Sequence, residues 1–282
     1  MEFKTTYSLY EEKVLEMLRQ YPTLSKDKDK RVEFKHDCIE KLIQVSRQQL
    51  NIKLKRARRY YGELEKALRE AGLPYLYMEA VTEEPLLVGS SDGLGYLLFE
   101  VGVSWDTVLD LPVIRGSAVK GAMRSLVHHY ALGPLNMKEK EAAAVEKALF
   151  GSTGKDGSAG PLIFFDAYPV KASRLLEEDI VNPHYGRAGE GPRTELDVEP
   201  VPVPHLVVPE DVVFGFVVAV VGDRLGAALP KIEEATSYKL EGGGLLAFLL
   251  GAVMHAGLGG RSLKGYGSLR PTSVVRWEDA GR

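Results

Sequence analysis

Gly72-Leu73-Pro74 divides this chain into two stretches with different hydrophobic periods. Before it, apolar residues recur at helical spacing: Val14, Leu15 and Leu18, then Ile39, Leu42, Ile43 and Leu50, then Leu54, Tyr61, Leu64 and Leu68. Glycine tolerates the positive φ of a helix cap and proline lacks the amide that a helix needs, so the pair stops the pattern. Residues 1–73 are therefore expected to form a helical region and 74–282 a second, strand-containing domain.

Beyond the break the apolar runs become shorter and more β-prone. Residues 94–103 (LGYLLFEVGV) read as a largely buried strand, 117–130 as a helix and 138–149 as a second, more acidic helix. GSTGKDGSAG, at 151–160, is too small and polar to pack and is expected to be a mobile loop insertion. A strand is expected at 161–167, and repeated Pro and Gly then make 182–205 an irregular insertion. Residues 212–221 read as a strand, 244–255 as a helix and 266–277 as a closing strand. The order from residue 94 is βαββαβ, that of an α+β, ferredoxin-like (RRM-like) fold with helices on one face of an antiparallel sheet.

With 282 residues, 45% of them hydrophobic and 27% charged, the chain can bury a sizeable core. Its formal net charge of −3 argues against a surface that coats nucleic acid everywhere, yet the charge is sorted. Lys53, Lys55, Arg56, Arg58 and Arg59 cluster, as do the basic residues from Arg261 to Arg276, while acids gather near 139–146, 177–179 and 190–199. The single cysteine, Cys38, can form neither an internal disulfide nor a cysteine-cluster zinc site. No basic start with an apolar run and no uninterrupted apolar span is present, so a cytoplasmic location away from membranes is expected.

Two segments combine glycine with cations. GLGGRSLKGYGSL, 257–269, lies after a helix and before a strand, the reverse of the order in dinucleotide and P-loop sites, and its spacing fits neither motif. It reads either as a loop whose amides approach an anion beside Arg261, Lys264 and Tyr266, or as an α-to-β connection that uses glycine for positive φ. In PVIRGSAVKGAMRSLVHHY, Gly116 and Ser117 are N-cap candidates. Lys120, Arg124 and His128 recur on one face of the helix that follows, beside a terminus whose dipole favours an anion. A solvated cationic stripe is the plainer reading of the same spacing.

The segment from Ile114 to Arg124 (IRGSAVKGAMR) resembles the "IPGSSLKGALR" segment of the RAMP proteins of CRISPR effector complexes, and GLGGRSLKGYG resembles their C-terminal glycine-rich loop. The glycine-rich loop before LIFFDAYPV, the stretch from Asp179 to Tyr185 and the Pro-Val-Pro-rich lead-in to a strand narrow the likeness to the subunit-six family of type III-B Cmr complexes, from about residue 86 onward. The resemblance implies a RAMP core that binds crRNA or the guide–target duplex near the 3′ end of the guide, without being the nuclease and without a cofactor. It implies as partners crRNA, target RNA and other Cmr subunits, both the RAMP backbone subunits and a neighbouring capping subunit. Gly116, Ser117, Lys120 and Arg124 match the first motif, and Gly257, Gly259, Gly260, Lys264, Gly265 and Gly267 match the second. Arg115 stands where the family usually has proline, adding a cation.

For chemistry, His184 is the candidate general base, with Asp179, Glu195 and Asp197 near it in sequence, although a structural or RNA-contacting role suits it better. His128 and His129 point to different sides of a helix, and Asp166, Asp179 and Asp197 lack metal-ligand spacing. Three readings follow. The first is a non-catalytic RNA-binding subunit using Arg115, Gly116, Ser117, Lys120, Arg124, His184 and the 257–267 loop with Arg261 and Tyr266. The second is a RAMP-type endoribonuclease acting on crRNA precursor or target RNA, and the third a protein-binding scaffold.

Overall fold

The N-terminal helices form where caps and apolar spacing agree. The computed structural model describes residues 4–89, 91, 93–132, 138–152, 154, 157–181, 202–222 and 242–279. Helix α1 (Thr6–Leu24) is capped by Thr5, whose hydroxyl accepts from the Ser8 amide, and α2 (Lys28–Arg47) by Asp27, which accepts from Lys30. Helix α3 (Leu50–Glu70) ends as the Gly72–Pro74 break predicts. Gly72 takes φ +65°, its amide reaches the Arg69 carbonyl, and the Leu73 amide reaches Leu68, a Schellman closure. The buried faces are Leu9, Tyr10 and Lys13 on α1, Cys38, Ile39 and Leu42 on α2, and Leu54, Ala57, Tyr61 and Leu68 on α3, whereas Leu15 and Leu18 face outward. Burial pushes the Cys38 thiol up to about 12, which makes it an inert core residue.

The first strand, β1 (Tyr75–Thr82), starts directly after Pro74 and is not the run at 94–103. That run is instead a closed turn around a one-turn helix, α4 (Tyr96–Phe99), with Gly93, Gly95 and Glu100 all at positive φ and a single bridge between Leu94 and Val103. It buries Leu94, Leu98 and Phe99 by helical spacing, so continuous hydrophobicity here did not mean a strand.

The remaining elements follow in chain order. They are β2 (Trp105–Asp106), β3 (Leu111–Pro112), α5 (Gly116–Leu132), α6 (Glu139–Phe150), β4 (Gly151–Ser152), β5 (Ser158–Ala159), β6 (Leu162–Phe164), β7 (Tyr168–Lys171), β8 (Glu177–Val181), β9 (Val203–Val207), β10 (Val213–Val220), α7 (Gly242–Ala256) and β11 (Leu269–Glu278). The 151–160 segment, expected as a mobile loop, contains the paired β4–β5 strands, and β9 occupies the end of the expected 182–205 insertion. Residues 182–201 of that insertion lie outside the described residues.

The central sheet has the order β11-β1-β10-β6, with β7 also on β10, and every pairing is antiparallel. Helix α7 covers one face, where Gly243 meets the Trp277 ring, and α5 packs beside α7. Helix α3 covers the other: Tyr61 abuts Gly215, its hydroxyl donates to the Gly215 carbonyl and accepts from the Tyr168 amide, and its ring meets Tyr77 at 5.5 Å. The architecture is a mixed α+β one with helices on both sides of the sheet rather than the expected one face, because α3 of the N-terminal region covers the second.

A buried ion pair fastens the N-terminal helices to the rest. Lys53, 2% exposed, places its Nζ 2.7 Å from Oδ2 of Asp110, 3% exposed, and donates to the Ser46 carbonyl at the end of α2. The Asp110 carboxylate also accepts from the Thr6 amide and hydroxyl at the start of α1 and from Trp105 Nε1 in the β2–β3 hairpin. Asp110→Ala should cost about 3–5 kcal/mol in a urea melt, because it strands a buried ammonium. Pairing it with Lys53→Met should cost less than the sum of the two single changes; strict additivity would show that the pair does not couple these elements.

Candidate nucleic-acid interface

The first glycine–cation segment sits against β6. A Cβ on Gly116 would lie 2.3 Å from the Phe164 carbonyl oxygen, so the start of α5 needs glycine to lie this close to the strand. The helix terminus is not open to an anion. The Gly116 amide donates to Asp166 Oδ1 at 2.7 Å and the Arg115 guanidinium pairs with Asp166 Oδ2 at 3.0 Å, so an internal carboxylate meets the helix dipole. One turn on, Lys120 is half-buried and forms no ion pair among the described residues. Arg124 reaches Glu146 of α6 at 3.3 Å, and His128 contacts the same carboxylate. Among the described residues the stripe therefore carries one cation without a carboxylate, Lys120, while Arg124 and the His128 ring share Glu146.

Lys120 and Arg124 form one wall of a groove of about 700 Å³, with Gly116 and Ser117 at its end. The opposite wall is the β4–β5 hairpin and β6. The hairpin part is built from small residues for a steric reason, since a Cβ on Gly151 or Gly160 would come within 2.4 Å of neighbouring backbone, while Phe150, Leu162, Ile163 and Phe164 line the rest. The groove thus offers backbone and hydroxyl groups facing a cationic helix edge, an arrangement suited to a phosphodiester chain.

The second segment resolves into a tether and a tip. Gly257 and Gly259 take φ +94° and +91°, the Gly260 amide donates to the Leu87 carbonyl at 2.7 Å, and the Gly267 amide to Pro85 at 2.9 Å. A Cβ would meet the Leu87 oxygen at 2.4 Å from Gly259 and the Leu258 oxygen at 2.0 Å from Gly267. These glycines let the loop nest on residues 85–88, as the connection reading expected. Only the tip projects: Arg261, the turn Ser262–Lys264 and Gly265, whose missing Cβ faces open space.

Tyr266 is half-buried and is not a free stacking plate. Its hydroxyl donates to Asp179, with the Arg261 guanidinium 5.9 Å from its ring, and burial followed by that carboxylate raises its pKa. Lys264, Gly265 and Tyr266 border a smaller cleft of about 360 Å³ that also contains Glu84, Glu177, Glu178, Asp179 and Glu210. The carboxylates make that side of the loop unfavourable for a phosphate, and Lys264 borders them.

The two segments do not meet. One abuts β6 and the other runs into β11, the two edges of the sheet, three strand spacings or about 14 Å apart. They line separate clefts with no lining residue in common. His184 lies outside the described residues. His205, which drew no attention in the sequence, is fully buried opposite Asp179 in the β8–β9 ladder, and burial lowers its pKa and keeps it neutral. The roles of Asp166 and Glu146 as internal partners of the motif cations also escaped the sequence, because both come from other elements. Among the described residues, no group of three or more His, Cys, Asp or Glu is arranged to hold a metal, and no helix is long and apolar enough to cross a membrane.

Residues 79–270 match the RAMP superfamily. The CRISPR system CMR subunit Cmr6 of Saccharolobus solfataricus is 30% identical over 258 residues, a span of 89% of this chain and 78% of the relative. The chain belongs to the RAMP superfamily, in the Cmr6 family. A chain in the cryo-EM structure of the type III-B Cmr-beta bound to cognate target RNA matches at TM-score 0.68 and 27% identity, covering 90% of this Cmr6-family chain and 76% of its own length. The RAMP match begins inside β1 and ends in β11, so helices α1–α3 lie outside it.

The division of this Cmr6-family loop into tether and tip is measurable. Gly267→Ala should destabilise the fold by roughly 2–4 kcal/mol, through a backbone clash and a left-handed φ, whereas Gly265→Ala should cost about 1 kcal/mol. Equal denaturation midpoints for the two variants would contradict it.

Proposed function

We propose that this protein is a non-catalytic RNA-binding subunit of a type III-B CRISPR effector complex. It contacts crRNA, or the guide–target duplex near the 3′ end of the guide, alongside other Cmr subunits. The observation that carries the reading is the groove beside α5, which Lys120 and Arg124 line together with the glycines and serines of the β4–β5 hairpin and the apolar Phe150, Leu162, Ile163 and Phe164. Such a surface grips the ribose-phosphate chain and ignores the bases, as a subunit that must accept any guide requires. Kinship with the Cmr6 of Saccharolobus solfataricus and likeness to a chain of an RNA-bound Cmr-beta assembly support it.

We also read the sheet as ferredoxin-like, with β1, β6, β10 and β11 as its four principal strands. In chain order they stand as 4-1-3-2 across the sheet, with α5 after the first and α7 after the third, which supports that topology. RRM domains stack bases on the sheet face opposite their helices. Here α3 covers that face and Tyr75 and Tyr77 are buried, so RNA is held at the edge groove and at the Arg261–Lys264 tip.

The test is crRNA binding by the assembled complex carrying Lys120→Ala, Arg124→Ala, Arg261→Ala and Lys264→Ala. Affinity should fall by tenfold or more, and the slope of log affinity against log salt should flatten by about 2–3, given roughly 0.7 per phosphate contact on a single strand. An unchanged affinity and slope would remove these residues from the RNA path.

A further inference from the structure

We propose that α3 carries a second RNA-backbone surface, formed by Lys55, Arg56 and Arg59, which extends the α5 groove beyond the RAMP core. The inference rests on the groove reading above and adds a contact that lies outside residues 79–270.

The charge at this surface is unusually one-sided. No Asp or Glu occurs between Glu40 and Glu63, while Lys53, Lys55, Arg56, Arg58 and Arg59 fall within two turns. The fold assigns these five cations different tasks. Lys53 is buried against Asp110, and Arg58 donates to the Val170 carbonyl at 2.5 Å. Lys55, Arg56 and Arg59 are exposed and make no ion pair among the described residues. Three long cationic side chains left without carboxylates stand in contrast to Arg115, Arg124, Arg270 and Arg276, each of which has one.

The patch is linked to the end of the groove through a short run of packed residues. Arg56 is one turn before Tyr60 and Arg59 adjoins it, and the Tyr60 ring packs edge-on against Tyr168 at 5.4 Å. Asp166 lies near enough to contribute to the raised pKa of the Tyr60 hydroxyl, and this same carboxylate holds Arg115 and caps α5 at Gly116, which lines the groove. Asp166 and Asp106 are engaged internally, with Arg115 and Gly116 and with Tyr168 and two backbone amides, so the junction is bridged by satisfied groups. On this proposal a strand leaving the groove past Gly116 runs on to α3. The partner that fits is a polyanion without sequence requirement, because the three side chains are exposed point charges with no pocket for a base.

The experiment titrates full-length protein against a labelled, mixed-sequence single-stranded RNA over a salt series. It compares wild type with Lys55→Gln/Arg56→Gln/Arg59→Gln and with Lys120→Gln/Arg124→Gln. The α3 variant should keep its melting temperature, lose about tenfold in affinity and flatten the salt slope by about 2, three contacts at roughly 0.7 each. Loss in the α5 variant with none in the α3 variant overturns this surface and leaves the groove standing. Loss in the α3 variant alone supports the surface and removes the groove. No loss in either, or a wild type without salt-dependent binding, overturns both. An α3 variant that binds RNA normally but drops out of the reconstituted complex assigns the patch to an acidic protein partner and overturns the proposal.

Discussion

The Lys53–Asp110 pair is the constraint on which the arrangement of layers depends. Three residues from separate elements converge on one carboxylate, Thr6 at the start of α1, Lys53 of α3 and Trp105 of the β2–β3 hairpin, and Lys53 in turn bonds the Ser46 carbonyl at the end of α2. Such a cluster is tolerable in a core only when every polar atom has a partner, and here the ammonium and carboxylate do. Its role is geometric. By holding α3 in place it sets Tyr61 against Gly215 and closes the sheet face that would otherwise be open to bases. Asp110 sits at φ +54°, a conformation that a short polar side chain tolerates and that its partners hold.

A second theme is that internal carboxylates decide which cations are available to a ligand. Asp166 takes Arg115 and the amide at the head of α5, Glu146 takes Arg124 and His128, and Asp179 holds Tyr266. The motif cations are thus graded: Lys120 forms no ion pair among the described residues, Lys264 borders an acidic cleft, and Arg261 lies against the Tyr266 ring. An Arg124 that leaves Glu146 for a phosphate exchanges one anion for another, at lower net gain than a free lysine.

Much was legible before any coordinates. The helical character of the N-terminal region, the stop at Gly72, helices α5, α6 and α7 and strands β10 and β11 all follow local signals: periodicity and glycine or proline at boundaries. Residues 94–103 misled because an unbroken apolar run has no period to read, and its glycines at positive φ decide its path only once the neighbouring chain is in place. The true first strand, YLYMEAVT, was hidden by its central position, since a strand buried on both faces lacks alternation. In the glycine-rich loop, composition could not separate Gly265 from Gly267, as the difference lies in what each absent Cβ would touch.

By itself the sequence determined most of the helices, the β10 and β11 strands, the two glycine–cation segments and, through their residues, a likeness to RAMP proteins, because each of these is written in contiguous residues. Tertiary structure alone decided that the two segments stand at opposite edges of the sheet, that α3 covers the face between them, and which cations are left without a carboxylate. Those outcomes depend on pairings between residues tens of positions apart, such as Gly116 with Asp166 or Lys53 with Asp110. No local propensity encodes them, since charge neutralisation and burial are properties of what packs alongside.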